Sequence, residues 1–166
     1  MMETGRSSPQ RTVALGNGRR APYPNPTTVA ASRIGKANRK RDTRPEVSLR
    51  SALHRRGLRF RKDLLLRCSN GVKVRPDIVF TASRVAVFVD GCFWHGCPDH
   101  GTVPRSNVDY WRPKFEANVA RDRRADDALA QDGWLVIRVW EHEVDDAVDR
   151  VAVDVCVVSL DQVRRS

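Results

Sequence analysis

Residues 85–100, from Val85 to His100, read VAVFVDGCFWHGCPDH. Five apolar residues open the stretch, three of them β-branched valine, in the pattern of a strand buried on both faces. Asp90 ends the apolar run and Gly91 breaks it. Within the next ten residues come Cys92, Cys97, His95, His100, the adjacent Phe93-Trp94 pair, and two more punctuators at Gly96 and Pro98. A strand end that delivers side chains into a loop is where rigid scaffolds commonly hold sites.

The segments on either side give this strand its neighbours. Before it, Arg75-Pro76 leads into Asp77-Ile78-Val79-Phe80, a strand, and Thr81-Ala82-Ser83-Arg84 turns the chain, so the two runs are expected to form an antiparallel hairpin. Further back, Leu64 to Val74 reads as an irregular or hairpin segment with a Ser69-Asn70-Gly71 turn, and Leu58 to Lys62 as a short strand. A helix starts at Thr43-Arg44-Pro45-Glu46, where Thr and Glu have capping-box spacing and Pro falls in the first turn. Leu49 and Leu53 share one face of it, and Gly57 closes it. After the loop of residues 91–107, Pro113 to Gln131 reads as a helix with Phe115, Val119 and Leu129 on one stripe. Asp122 and Asp126 fall on that stripe too, which argues against deep burial. Trp134 to Trp140 is another apolar strand, and Val144 to Val163 a last helix with Val144, Val148, Val151, Ala152 and Val155 inward. The order implies an α/β sandwich around a mixed sheet.

The chain has 166 residues and a net charge of +10, divided very unevenly. Residues 1–62 carry +13 and residues 63–166 carry −3. A basic half on a nearly balanced body points to a polyanion, usually nucleic acid; the competing reading is a solvated tail. Residues 1–30 are rich in Gly, Pro, Ser and Arg without apolar periodicity and are expected to be a disordered basic tail. Ile34, Lys36, Arg39, Lys40 and Arg41 lie on an arm expected to become ordered on a phosphate backbone. No run approaches the ~18 apolar residues of a membrane span, and no secretory signal is apparent. The expectation is an intracellular protein whose four cysteines serve as metal ligands or core thiols.

Four constellations carry chemistry. Asp77 and Asp90 sit thirteen residues apart at strand ends, where paired carboxylates suit Mg²⁺; capping acids are the plainer reading. Cys92, Cys97, His100 and His142 have the ligand types and clustering of a closed Zn²⁺ site, and His95 in the same loop is a further candidate ligand that spacing does not separate from them; free thiols beside surface histidines are the plainer reading. Phe93-Trp94 is suited to stacking on or wedging between bases, with core packing as the alternative. Asn107, Tyr110, Trp111 and the cations Lys114, Arg121, Arg123 and Arg124 extend a possible nucleic-acid groove.

Arg75-Pro76-Asp77, Val87 to His100, Asn107 with Tyr110-Trp111, Asn118 with Arg121-Asp122, Gly133-Trp134 and Val139 to Glu143 closely resemble the very-short-patch repair endonucleases. Asp42 to Glu46 fits that family's N-terminal segment, and the resemblance spans roughly residues 31–143 of an endonuclease domain placed at 31–166. It implies a restriction-endonuclease-like three-layer fold, a mixed sheet flanked by helices, with a structural zinc. It implies Mg²⁺-dependent nicking of duplex DNA 5′ of the thymine in a T·G mispair left by deamination of 5-methylcytosine. By resemblance, Asp77 is the main Mg²⁺ ligand and His95 the base or water-orienting histidine. Glu46 is then an acid near the active centre, and Cys92, Cys97, His100 and His142 are the zinc ligands. Phe93 and Trp94 match the family's major-groove wedge, and Asn107, Lys114, Asn118 and Arg121 join the arm as DNA contacts. The second metal contact falls at Val89, which offers only its carbonyl, so Asp90 is expected to act directly or through water. The minor-groove wedge position falls at Gly35, beside Ile34. The resemblance further implies a monomer in the bacterial cytoplasm at the nucleoid, working with mismatch-repair proteins and a cytosine methyltransferase. A restriction-type endonuclease with another target, and a non-catalytic zinc-stabilised DNA-binding module, are the alternatives.

Overall fold

The computed structural model describes residues 12–14, 20–22, 41–101 and 108–165. At its centre is β7 (Val85–Asp90), hydrogen-bonded on one side to β6 (Ile78–Phe80) and on the other to β8 (Leu135–Trp140). The β6–β7 pairing is antiparallel with Ile78 opposite Val87, and β7–β8 is parallel with Asp90 opposite Trp140. With β3 (Arg61–Lys62) antiparallel on β6, the sheet is mixed, in the order β3-β6-β7-β8. β4 (Leu66–Arg67) and β5 (Lys73–Val74) form a separate hairpin. Thr12–Ala14 (β1) and Arg20–Pro22 (β2) pair antiparallel inside the segment expected to be disordered, the rest of which lies outside the described residues.

The period of two along β7 sorts its side chains between two cores. Val85, Val87 and Val89 pack on the side covered by α1 (Arg44–Arg55) and α4 (Val144–Arg165), with Leu49, Leu53, Ile137, Val139, Val148 and Val151. Ala86 and Phe88 pack on the other side, against Leu129 and Ala128 of α3 (Val108–Gln131) and Val74 of the hairpin. Helices thus cover both faces of the sheet, as the sequence pattern implied.

Local chemistry sets the ends. The Thr43 side chain accepts from the Glu46 N–H at 3.5 Å, while the Glu46 carboxylate accepts from the Asp42 N–H at 2.9 Å and the Thr43 hydroxyl at 2.8 Å. The reciprocal cap therefore closes one residue earlier than a simple capping box. The strand expected over Leu58 to Lys62 is confined to Arg61–Lys62, and two further differences from the sequence reading lie next to the candidate site. The loop of residues 91–107 contains a helical turn, α2 (Cys92–His95), capped by Gly96 at φ +66. In addition, α3 begins at Val108 rather than Pro113 and carries that proline inside its first turns. Aromatic packing of Tyr110 and Trp111 outweighs the one backbone bond that Pro113 cannot make. Among the described residues no helix is long and apolar enough to cross a membrane.

Candidate active site

Asp77 precedes β6, and its backbone N–H donates to the Val87 carbonyl at 3.1 Å. Its carboxylate in turn accepts from the Val89 N–H at 2.8 Å, which clamps it against β7. A strand residue presents its N–H and C=O to the same edge, so the Val89 carbonyl faces Asp77 as well. Burial pushes the Asp77 carboxyl up to about 6, and the negative charges of Glu46, Asp90 and Asp63 add to that rise against the opposing Val89 hydrogen bond. A partly desolvated carboxylate that also feels negative charge from its surroundings gains by taking up a cation.

Asp90 continues the β7 alternation onto the α3 side, where it is 5% exposed. There Arg138 of β8 meets it, donating to both carboxylate oxygens at 2.8 Å. The same guanidinium donates to both oxygens of Asp126, at 2.9 and 3.0 Å, and lies 4.7 Å from the ring centroid of Phe88. These ion pairs raise the Arg138 pKa in spite of burial. Beside this cluster, His95 Nδ1 lies 2.6 Å from the Asp122 carboxylate and 3.6 Å from Asp90. Burial works against ionising Asp122, but the His95 hydrogen bond and the charges of His95, Arg138 and Arg121 more than offset it and lower its pKa. With Nδ1 held by an ionised carboxylate, Nε2 is the ring nitrogen left to act on a proton.

The thiols of Cys92 and Cys97 and the rings of His100 and His142 form one cluster, their donor atoms all within 4.8 Å of one another. Cys92 Sγ is 3.0 Å from His142 Nδ1, and Cys97 Sγ is 3.9 Å from His100 Nδ1. A tetrahedral zinc needs donors roughly 3.3–3.8 Å apart, so the set closes on one with small side-chain adjustment. Burial, followed by the hydrogen bond and charge of neighbouring Cys97 and then by Glu141, pushes the Cys92 thiol up. Backbone geometry supports the cluster: the Gly101 N–H donates to the Cys97 carbonyl at 2.7 Å, and a Cβ on Gly101 would lie 2.3 Å from that oxygen.

The profile of the family described as DNA mismatch endonuclease Vsr matches residues 27–99. The type II nicking enzyme V.NaeI of Lentzea aerocolonigenes is 58% identical over 130 residues, 78% of each chain. The chain belongs to the Vsr family of DNA endonucleases. The type II nicking enzyme V.XorIIP of Xanthomonas oryzae pv. oryzae is 49% identical over 112 residues, covering 65% of this chain and 76% of its own. The DNA mismatch endonuclease Vsr of Escherichia coli strain K12 is 38% identical over 102 residues, 61% of this chain and 62% of its own.

In this Vsr-family chain the expected residues divide into those brought together and those held elsewhere. Asp77 meets Val89 and feels the charge of Glu46, whose carboxylate is itself held at the cap of α1, and Cys92, Cys97, His100 and His142 come together. Asp90 is occupied by Arg138 rather than presented beside Asp77, because the pleat turns it to the opposite face. Phe93 and Trp94 are half-buried: Phe93 meets Trp111 and Phe115 edge-on at 5.3 and 5.4 Å, and Lys114 Nζ sits 5.3 Å from the Trp94 ring. Asn118 donates to the Trp94 carbonyl at 3.1 Å, which commits its amide to anchoring α2. Arg121 and Arg41 are exposed, whereas Ile34, Lys36, Arg39, Lys40 and Asn107 lie outside the described residues. Two open grooves flank the β4–β5 turn, about 620 and 450 Å³, with Arg123, Arg124, Lys73 and Arg121 on their walls. Asp122, Asp126, Arg138 and Glu141 had no assigned role in the sequence reading. Yet the i,i+4 acids on an apolar stripe were a visible signal that something cationic lay beneath them.

Proposed function

We propose that this endonuclease nicks one strand of duplex DNA 5′ of the thymine in a T·G mispair, with Mg²⁺ at Asp77 and a structural Zn²⁺ in the Cys/His cluster. The observation that carries the reading is the pairing of His95 with Asp122 at 2.6 Å, on the loop that leaves the strand clamped to Asp77. A nuclease needs a cation site and an oriented proton acceptor; Asp77 against β7 offers the first, and His95 on the loop that leaves β7 offers the second. The names of the relatives, nicking enzymes and a mismatch endonuclease, support single-strand cutting at a mispair. Helices on both faces of a mixed sheet, with the acids at strand ends, accord with a restriction-endonuclease-like arrangement.

Asp77 and the Val89 carbonyl would hold the Mg²⁺, and the negative charge of Glu46, which acts on Asp77, would add to the pull on the cation. When bound, that ion neutralises charge on the scissile phosphate and lowers the pKa of a coordinated water. His95 Nε2 takes the proton from the attacking water as its oxygen bonds to phosphorus, and the bond to the leaving sugar oxygen breaks. Asp122 keeps the imidazole oriented and stabilises the imidazolium that forms. Cys92, Cys97, His100 and His142 would hold the Zn²⁺, which fixes the loop and takes no part in the reaction. Phe93 and Trp94, borne by α2 above the aromatic cluster, fit insertion beside a mispair, which unstacks at less cost than a matched pair.

The test is a nicking assay on strand-labelled duplexes with a single T·G mispair or a matched T·A pair, using the native chain and Asp77→Asn. Cutting confined to the thymine strand of the mispaired duplex, and lost in the variant, is expected. Equal cutting of both duplexes would assign another target, and binding without cutting a non-catalytic role.

A further inference from the structure

Three carboxylates, those of Asp90, Asp122 and Asp126, meet the single guanidinium of Arg138, and they share it unequally. Phe88 and Asp90 lie on one face of β7, and the parallel register sets Arg138 of β8 opposite Phe88. The Arg138 side chain therefore lies along the Phe88 ring and extends past it to Asp90. From the other side, α3 presents Asp122 and Asp126 one turn apart. Nε and Nη2 of Arg138 donate to the two oxygens of Asp126, and Nη1 donates to both oxygens of Asp90. One Asp122 oxygen is 3.8 Å from Nη2, and the other is the one that meets His95 Nδ1 at 2.6 Å. That same Nδ1 is 3.6 Å from Asp90, on an oxygen that Nη1 already holds.

We infer that Arg138 is a positioning residue for His95: by holding Asp90 it withholds that carboxylate from the imidazole and leaves Asp122 as the acceptor of Nδ1–H. An imidazole N–H makes one strong hydrogen bond, and two carboxylates flank this one. Asp90 is 5% exposed, and Arg138 and His95 are its only side-chain partners among the described residues. Without the guanidinium, the buried carboxylate would take the one donor left, because burying it unpaired is costly. Turning the ring toward Asp90 carries Nε2 with it, and a misplacement of about 1 Å at a proton acceptor can cost on the order of 100-fold in rate. Asp126 completes the device. By fixing Nε and Nη2 it anchors the guanidinium to α3, the helix that also bears Asp122, so the right acceptor and the restraint on the wrong one are set by the same element. This role rests on the reading of His95 as proton acceptor and not on the choice of mispair.

The experiment measures kcat and KM for nicking of the mispaired duplex, and the imidazole N–H proton resonances of the histidine-labelled full chain. The variants are Arg138→Met, Arg138→Lys, Asp90→Asn, and Arg138→Met combined with Asp90→Asn. In the native chain the His95 Nδ1–H should give a downfield, slowly exchanging resonance, identified by its absence from His95→Gln. Arg138→Met should move or broaden it and lower kcat by about 10- to 100-fold, with KM within about twofold. Asp90→Asn breaks the same ion pair but removes the competitor, so it should cost less in kcat than Arg138→Met. The double variant should regain at least about fivefold over Arg138→Met and return the resonance to its native position. An ion pair that served the fold alone would not produce this order. Arg138→Lys keeps the charge but cannot fork between two carboxylates, and should fall in between. If circular dichroism shows that Arg138→Met does not fold, Arg138→Lys with and without Asp90→Asn carries the same comparison. A folded Arg138 variant with native kcat and an unmoved resonance overturns the inference, and so does a double variant no faster than its Arg138 parent. The resonance needs no DNA. A chain that cut matched duplex equally, or cut nothing, would overturn the proposed function, while a resonance moved in Arg138→Met and restored in the double variant would still uphold the role of Arg138.

Discussion

The catalytic role proposed for Asp77 opposes its effect on stability, and pH separates the two. Its carboxyl is raised in the folded chain to about 6, first by burial and then by Glu46, Asp90 and Asp63. A raised folded pKa means that the folded state favours the proton. Stability is then fully present below the unfolded value near 4 and is lost as pH rises through about 6. Asp77→Asn removes the titration while keeping an oxygen for the Val89 N–H. In metal-free protein at pH 8 it should raise unfolding stability by roughly 1–3 kcal/mol, and the gain should vanish below about pH 4. Urea unfolding at both pH values checks this, and a destabilised variant at pH 8 would contradict it. Nicking should be lost throughout. Arg138 presents the converse case, since it is the cation on which Asp90, Asp126 and, at 3.8 Å, Asp122 rely. Arg138→Met should cost roughly 3–5 kcal/mol by stranding a buried carboxylate. Arg138→Met with Asp90→Asn should recover a clear part of that loss, as a double-mutant cycle by urea unfolding would show.

The strand β7 and the break at Gly91 that opens the site loop were legible in the sequence, but their neighbours were less so. Val85–Val89 announced a buried strand, and the hairpin with β6 and the helix start at Thr43 followed from short-range spacing; Cys92, Cys97 and His100 stood out by theirs, whereas the inclusion of His142, 42 positions after His100, and the exclusion of His95 came from the family resemblance. The helical turn at Cys92–His95 and the early start of α3 did not, because both depend on aromatic contacts between segments distant in sequence. The Asp90–Arg138 pair spans 48 positions, and only the parallel register of β7 and β8 brings it together. The Gly101 N–H on the Cys97 carbonyl makes the cluster sensitive to backbone volume. Gly101→Ala, which has no room for its Cβ, should weaken Zn²⁺ retention by at least about tenfold in a chelator competition. Stripping the metal from the native chain should lower the melting temperature and abolish nicking even in excess Mg²⁺, because the loop that carries His95 is folded by its ligands. Full activity after verified removal of the metal would refute a structural role.

At the scale of the whole molecule, charge is divided unevenly between two halves. Residues 63–166 carry −3 and hold Asp77, His95 and the Cys/His cluster, whereas residues 1–62 carry +13. A nearly neutral body can be selective at a phosphate only if another part of the chain supplies the attraction, and the cations at Lys36, Arg39 and Lys40 are placed in sequence to do so. Each phosphate contact releases condensed counterions, so the logarithm of the affinity should fall linearly with the logarithm of salt, with a slope of about 0.9 per contact. Replacing Lys36, Arg39 and Lys40 by alanine should therefore flatten the slope by about 2 to 3, measured as the salt dependence of KM on the mispaired duplex. Because those side chains act on encounter and not on the reacting water, kcat at saturating DNA should stay within about twofold. The proposed preference for mispaired over matched duplex should be the same in the variant as in the native chain, since phosphate contacts carry no sequence information. A triple variant with an unchanged slope would return the basic half to the status of a solvated tail; one that lost kcat instead would place the arm at the reacting phosphate.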